Sequence, residues 1–269
     1  MRLPGNPRIL VTNDDGIHAP GIASLETIAR ALSDDVWVIA PLAEQSGASH
    51  SLTLHAPLRV RKEDDRHFAV QGTPTDCVSM AIKHILADHP PALVLSGVNH
   101  GSNIAEDVTY SGTIAAAMEG TTLGVRSIAL SQAFGFKGDG RLRLQTAEHF
   151  GPRLVSELWE RPWAEGVLIN INFPDRDPDD VAGIEATRQG RRDQSNLYIE
   201  QRTDPRGGAY YWLGINRKLS NPPEGTDLRA IYSGRISVTP LHLDLTQTDS
   251  LAILRGAVEE ARAGLGLSG

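Results

Sequence analysis

RILVTNDDGIHAPGIASLETIARAL, residues 8–32, passes from an apolar run through a polar tetrapeptide into a helical pattern. Arg8 to Thr12 read as a buried strand, and Ile22, Leu25, Ile28, Ala29 and Leu32 fall on one face of a helix. Strand, polar turn and helix make half of a βαβ unit, and the chain repeats the pattern. VWVIAP (Val36–Pro41), ALVLSGVN (Ala92–Asn99), SIALS (Ser127–Ser131) and VLININ (Val167–Asn172) are further Val- and Ile-rich strands. Helical patterns lie between them: one from about Thr75 to Ala87, one starting near Ser111, and one from about Leu142 to Trp159. The first of these buries Val78, Ala81, Ile82 and Ile85, with Thr75 as its N-cap, and a hairpin or loop excursion covers Leu52 to Val70. Alternation of this kind predicts an α/β fold with five parallel strands and covering helices.

Beyond Phe173 the chain turns to Pro, Gly, Arg and Asp, with strand-like pieces at Ala209–Leu213 (AYYWL) and Arg235–Leu241 (RISVTPL) that predict extended hairpins. An amphipathic pattern from Thr248 to about Ala263 predicts a closing helix packed back on the core through Leu251, Ile253, Leu254, Val258 and Ala261. Residues 1–269 read as a single α/β domain, with a hairpin-rich extension over approximately 174–245.

Composition sets limits on function. The chain is 40% hydrophobic and 22% charged, as expected of a globular protein, and its formal charge of −7 argues against a surface for duplex nucleic acid or an anionic membrane. An anionic ligand would have to be met locally, by a metal or by backbone N–H groups. Cys77 is the single cysteine, so neither an intrachain disulfide nor a cysteine zinc cage can form, and it reads as a small buried residue on its helix. The first residues run into a strand without a signal-peptide pattern, and no apolar stretch of roughly 18 residues occurs, so a cytoplasmic location is expected.

Three strands end in polar clusters: NDDG after the first, APLAEQS after the second and SGVNHGSN after the third. In an open parallel sheet these ends line one edge, which brings Asp14, Asp15, Ser46 and Asn99 within reach of one another. Adjacent carboxylates in a crevice call for a neutralising cation, and oxygen donors from Asp, Asn and Ser suit magnesium, manganese or calcium better than zinc. Asn-Asp-Asp-Gly also suits a plain turn. Ser111-Gly112-Thr113 opens an apolar helix and offers N–H and hydroxyl donors at the positive end of the helix dipole, as an anion site or as an ordinary N-cap. Gly72-Thr73-Pro74-Thr75-Asp76 either shapes a pocket or simply starts a helix. No GxGxxG follows the first strand, and no GxxxxGK[ST], GxSxG or HExxH occurs among the nine histidines or elsewhere. His100, directly after Asn99, stands at the edge of the polar cluster.

Taken in order, ILVTNDDGIHAPGI, VIAPLAEQSGASHSLTL, GTPTDCV, LVLSGVNHGSNIAEDVTYSGTIAAAMEG, TRQGRR and YYWL resemble the SurE family of 5′/3′-nucleotidases. The resemblance covers nearly the whole chain and is weakest from about Phe134 to Pro162; His18-Ala19-Pro20 is a cosmetic local departure. It implies a Rossmann-like core, a C-terminal hairpin exchanged between subunits of a homodimer or homotetramer, and hydrolysis of nucleoside 5′- or 3′-monophosphates, with some members acting on short polyphosphate. It also implies one divalent cation per subunit, magnesium or manganese, on Asp14, Asp15, Ser46 and Asn99, with Asp14 and Asp15 catalytic. Asn13, Asn103, Ser111, Gly112 and Thr113 are then expected to grip the phosphate. Two other readings of the same crevice are a metal-gated nucleotide sensor without turnover and a carbohydrate or nucleotide-sugar enzyme.

Overall fold

The computed structural model describes residues 2–192, 197–215 and 221–265. Its strands are β1 (Ile9–Thr12), β2 (Val36–Pro41), β3 (Arg59–Lys62), β4 (His67–Gln71), β5 (Leu93–His100), β6 (Arg126–Gln132), β7 (Val167–Phe173), β8 (Gly183–Ala186), β9 (Leu197–Thr203), β10 (Ala209–Ile215) and β11 (Arg235–His242). Its α-helices are α1 (Pro20–Leu32), α2 (Pro74–Met80), α3 (Gly112–Thr122), α4 (Leu144–Trp159), α5 (Asp227–Tyr232) and α6 (Thr248–Leu265). Nine strands form one sheet in the order β3-β4-β2-β1-β5-β6-β7-β11-β8. Strands β4, β2, β1, β5, β6 and β7 run parallel, whereas β3 and β11 are antiparallel to their neighbours β4 and β7.

The period of two along the strands sorts the core. Ile9 and Val11 face the layer of α1 and α4, while Leu10 between them faces α2 and α3 with Cys77, Val78 and Ala116. From β1 the chain moves outward through β2 to β4 and then returns to β5 on the other side of β1. The gap between β1 and β5 is therefore the topological switch point of the sheet, where a crevice opens beyond the carboxyl ends of the strands.

Four expectations need correction. The parallel strands number six, because the Leu52–Val70 excursion ends in β4, which pairs with β2 and becomes part of the sheet. The cap of α2 is Thr73 rather than Thr75. Thr73 Oγ1 accepts from Asp76 N, and the Asp76 side chain accepts from Thr73 N, a reciprocal capping box with Pro74 at the first helical position. RISVTPL is no hairpin of its own but β11, hydrogen-bonded to β7 in the main sheet. The last helix forms, yet buries none of its residues, with Ile253, Leu254 and Val258 all exposed, so it does not pack on the core. Within the expected extension, β9 and β10 form a separate two-stranded sheet; residues 193–196 and 216–220 of that range lie outside the described residues. Among the described residues no helix is long and apolar enough to cross a membrane.

Candidate active site

Asn13, Asp14 and Asp15 leave β1 at the switch point. Asp14 is buried, 4% exposed, and its Oδ1 accepts from Thr113 Oγ1 at 2.5 Å. The Thr113 N–H adds a second donor, so the carboxylate sits on the positive end of α3. Gly112 makes that approach possible: a Cβ there would lie 2.7 Å from Asp14 Cβ and 2.9 Å from its Oδ2. Burial nevertheless outweighs these donors, and with Asp15 adding like charge it pushes the Asp14 pKa up to about 6. Asp15 is half-buried, its Oδ2 accepts from the His100 N–H at 3.2 Å, and burial raises its pKa as well.

β5 supplies the opposite wall. Its pairing with β6 shifts register between Ser96 and Asn99, at Gly97 with φ +132°, where a Cβ would meet Leu130 O at 2.1 Å. A bulge of this kind re-aims the residues after it. Asn99 follows half-buried with its Nδ2 donating to Gly101 O at 2.9 Å, and the exposed His100 ring packs edge-on against Phe134 at 4.5 Å. Ser46 lies on the loop after β2, exposed, its hydroxyl donating to Glu44 Oε1 at 2.8 Å. That loop is tied to the site by Gln45 N, which donates to Asp14 O at 2.8 Å, and to α2 and α3 further along. Thr53 donates through N and Oγ1 to the Asp76 carboxylate, Ser49 Oγ donates to Thr109 O, and His50 meets Glu119 at 3.1 Å.

Of the residues expected to grip an anion, the four with polar side chains have internal partners. Ser111 Oγ caps α3 by accepting from Ile114 N, and Thr113 is directed at Asp14. Asn13 Nδ2 donates to Gly16 O at 2.9 Å, and Asn103 Nδ2 donates to Ser131 Oγ at 2.9 Å. Asn13 Oδ1 is buried without a partner, an acceptor beside two crowded carboxylates. Two acids whose pKa values are raised by burial, an orphaned amide oxygen and nearby Ser and Asn oxygens form a donor set that fits a hard divalent cation. Among the described residues no group of three or more His, Cys, Asp or Glu gathers as a metal site, so neutral oxygens must complete any coordination around Asp14 and Asp15.

Apart from Asp76, which stood in the Gly72–Asp76 stretch read as a pocket wall or a helix start, several residues that shape the site were not singled out from the sequence. Asp76 and Glu119 anchor the Ser46 loop, and Asn170 and Asn172 of β7 bond the Asn103 backbone. The last two had a visible signal, polar residues at alternate positions of an otherwise apolar strand.

Comparison with known proteins agrees with this fold. The family model described as Survival protein SurE matches residues 9–196, which span β1, the Ser46 loop, β5 and α3. A 5′-nucleotidase SurE from Parvibaculum lavamentivorans is 63% identical over 251 residues, covering 93% of this chain and 91% of its own length. Another, from a Caulobacter species, is 58% identical over 252 residues, covering 93% and 94%. The crystal structure of the SurE protein from Aquifex aeolicus superposes with a TM-score of 0.81 at 37% identity, covering 93% of this chain and 99% of that one. With the ordered motifs, the sheet topology and these matches in agreement across nearly its whole length, the chain belongs to the SurE family.

Proposed function

We propose that the chain hydrolyses nucleoside 5′-monophosphates, and 3′-monophosphates also, to nucleoside and phosphate with the help of one divalent cation per subunit, magnesium or manganese. The observation that carries the reading is the buried Asp14, pinned by Thr113 at the start of α3 with Asp15 beside it, at the switch point of the sheet. The names of relatives 57–63% identical, each a 5′-nucleotidase SurE, support the substrate class.

Asp14, Asp15, Ser46 and Asn99 would hold the cation. When bound, it offsets phosphoryl charge and lowers the pKa of a coordinated water. The chain's own groups do the rest. Thr113 fixes the rotamer of Asp14, and the His100 N–H fixes one oxygen of Asp15. Asp15, the more accessible of the two, has Oδ1 to take the proton of the attacking water. Ser111, Gly112 and Thr113 place the positive end of α3 against the phosphate, and Asn13 and Asn103 contribute amide donors. We place the enzyme in the cytoplasm as a homodimer or homotetramer; the single, buried Cys77 is in keeping with a reducing compartment.

The test is phosphate release from a panel of nucleoside monophosphates and p-nitrophenyl phosphate, after EDTA and after restoring magnesium or manganese. Metal-restored release favouring nucleotides is expected; saturable binding without release under any metal would instead favour a nucleotide sensor. Asp15→Asn is expected to lower kcat by more than about 100-fold, with an unchanged circular dichroism spectrum. Activity like that of the parent in this variant would sink the assignment.

A further inference from the structure

Strand β7 lies inside the sheet, between β6 and β11, yet it carries Asn170 and Asn172, neither with any solvent exposure. Amides persist in such a place only when they are hydrogen-bonded. Both spend their bonds on one residue and on each other. Asn172 Oδ1 accepts from the Asn103 N–H at 2.8 Å, Asn170 Nδ2 donates to Asn103 O at 2.8 Å, and Asn172 Nδ2 donates to the same oxygen and to Asn170 Oδ1 at 3.2 Å each. From β6, the fully buried Ser131 accepts from Asn103 Nδ2 at 2.9 Å. Both main-chain polar groups of Asn103 and one N–H of its amide are thus fixed by two neighbouring strands.

The same turn is held at its other end, where Gly101 N donates to Gln132 O at 2.9 Å. Directly before it stand Asn99 and His100, the latter bonded through its N–H to Asp15. Apolar residues at 170 and 172 would leave the buried N–H and C=O of Asn103 unpaired, so part of what these amides supply is stability. A fully satisfied network does something else: it fixes one conformation.

We propose that Asn170, Asn172 and Ser131 are positioning residues for the reaction. They hold Asn103 so that the second N–H of its amide is kept for a phosphate oxygen. The inference rests on the reading of Asn103 as a phosphate-binding group.

The experiment is a pair of double-mutant cycles, Asn103→Ala with Ser131→Ala and Asn103→Ala with Asn172→Ala, in the metal-loaded protein. It reads kcat/KM on a nucleoside monophosphate, inhibition by inorganic phosphate, and Tm. Ser131→Ala removes a single hydroxyl and keeps the test alive if Asn172→Ala folds poorly. Each positioning variant alone is expected to lower kcat/KM by about 10- to 100-fold, as loss of a group that orients a ligand commonly does, and to weaken phosphate inhibition. In the Asn103→Ala background neither is expected to lower kcat/KM further, although each still lowers Tm. A purely structural role would lower Tm alone. Additive losses in kcat/KM, unchanged phosphate inhibition in Ser131→Ala, or an Asn103→Ala variant with full activity would each overturn the proposal while leaving the phosphatase reading in place. A parent protein that releases no phosphate under any metal would overturn both.

Discussion

At the scale of single residues, Asp14 couples function to stability in opposite senses. Its folded-state pKa of about 6 stands above the ordinary carboxylate value of 3.8, mainly because burial disfavours the charged form. Between those two values the unfolded chain has released the proton that the folded chain still holds, so the metal-free protein loses stability as pH rises from about 4 and carries the full cost above about 6. About two pKa units correspond to a cost of order 3 kcal/mol at neutral pH. Asp14→Asn removes that charge. Urea melts in EDTA are therefore expected to show Asp14→Asn more stable than the parent at pH 7, with the gap closing toward pH 4, while phosphate release is lost. A variant less stable than the parent at pH 7 would contradict the burial argument. Gly112→Ala acts at the same contact, because its Cβ would meet Asp14 Cβ at 2.7 Å. It is expected to displace the carboxylate and lower kcat/KM by about 100-fold or more, as misplacement by about an ångström does. The acidic pair was legible in the sequence because it follows the first strand of a βαβ pattern, a position that itself marks ligand sites. The role of Thr113 was not, since a threonine in the first turn of a helix reads equally well as a donor to a ligand or to a neighbouring acid.

At the scale of elements, the reading by period found β1, β2, β5, β6 and β7 within a residue or two of their ends. It failed where pairing, not period, decides. β4 alternates weakly and follows a turn, so nothing local distinguishes a free hairpin from one whose second strand pairs with β2. The α2 cap was misplaced by two residues although Thr73-Pro74-Thr75-Asp76 carries the capping-box spacing, because Thr75 is as good a cap by residue type. Asp76 then does more than cap. It accepts from Thr53 N at 3.0 Å and Thr53 Oγ1 at 2.6 Å, linking α2 to the loop that carries Ser46. Asp76→Ala removes the loop bonds and half of the capping box together. Charge-assisted bonds of this kind are worth about 1.5–3 kcal/mol each, so the variant is expected to be at least about 2 kcal/mol less stable in urea. Limited proteolysis is expected to cut faster within residues 42–58, and more metal should be needed for half-maximal activity. Unchanged proteolysis would mean that the ties at Ser49 and His50 suffice to hold the loop.

At the scale of the whole molecule, two elements lack the packing that would justify them within a single chain. Strands β9 and β10 form a sheet of two strands, and such hairpins are marginal in water on their own. This one exposes Ile199, Tyr211, Trp212 and Leu213, each more than half open. Helix α6 buries nothing over its 18 residues, although its apolar pattern is that of a packed helix. The sequence pattern predicts burial of these faces, but it cannot tell burial in the same chain from burial in another. Large apolar side chains left exposed on such elements argue for association, and closed symmetric assembly is the usual way a chain covers them. Gel filtration with light scattering is expected to give two or four times the 29.1 kDa chain mass. Charges placed in the hairpin, Trp212→Glu with Leu213→Glu, should shift the mass toward one chain. Asp14, Asp15, Ser46, Asn99 and the start of α3 all come from one chain, so the dissociated variant is expected to keep metal-dependent phosphate release. Loss of turnover on dissociation would show instead that a second copy completes the site. A parent protein that stays monomeric at micromolar concentration would leave the exposed hairpin without a partner and overturn the assembly argument.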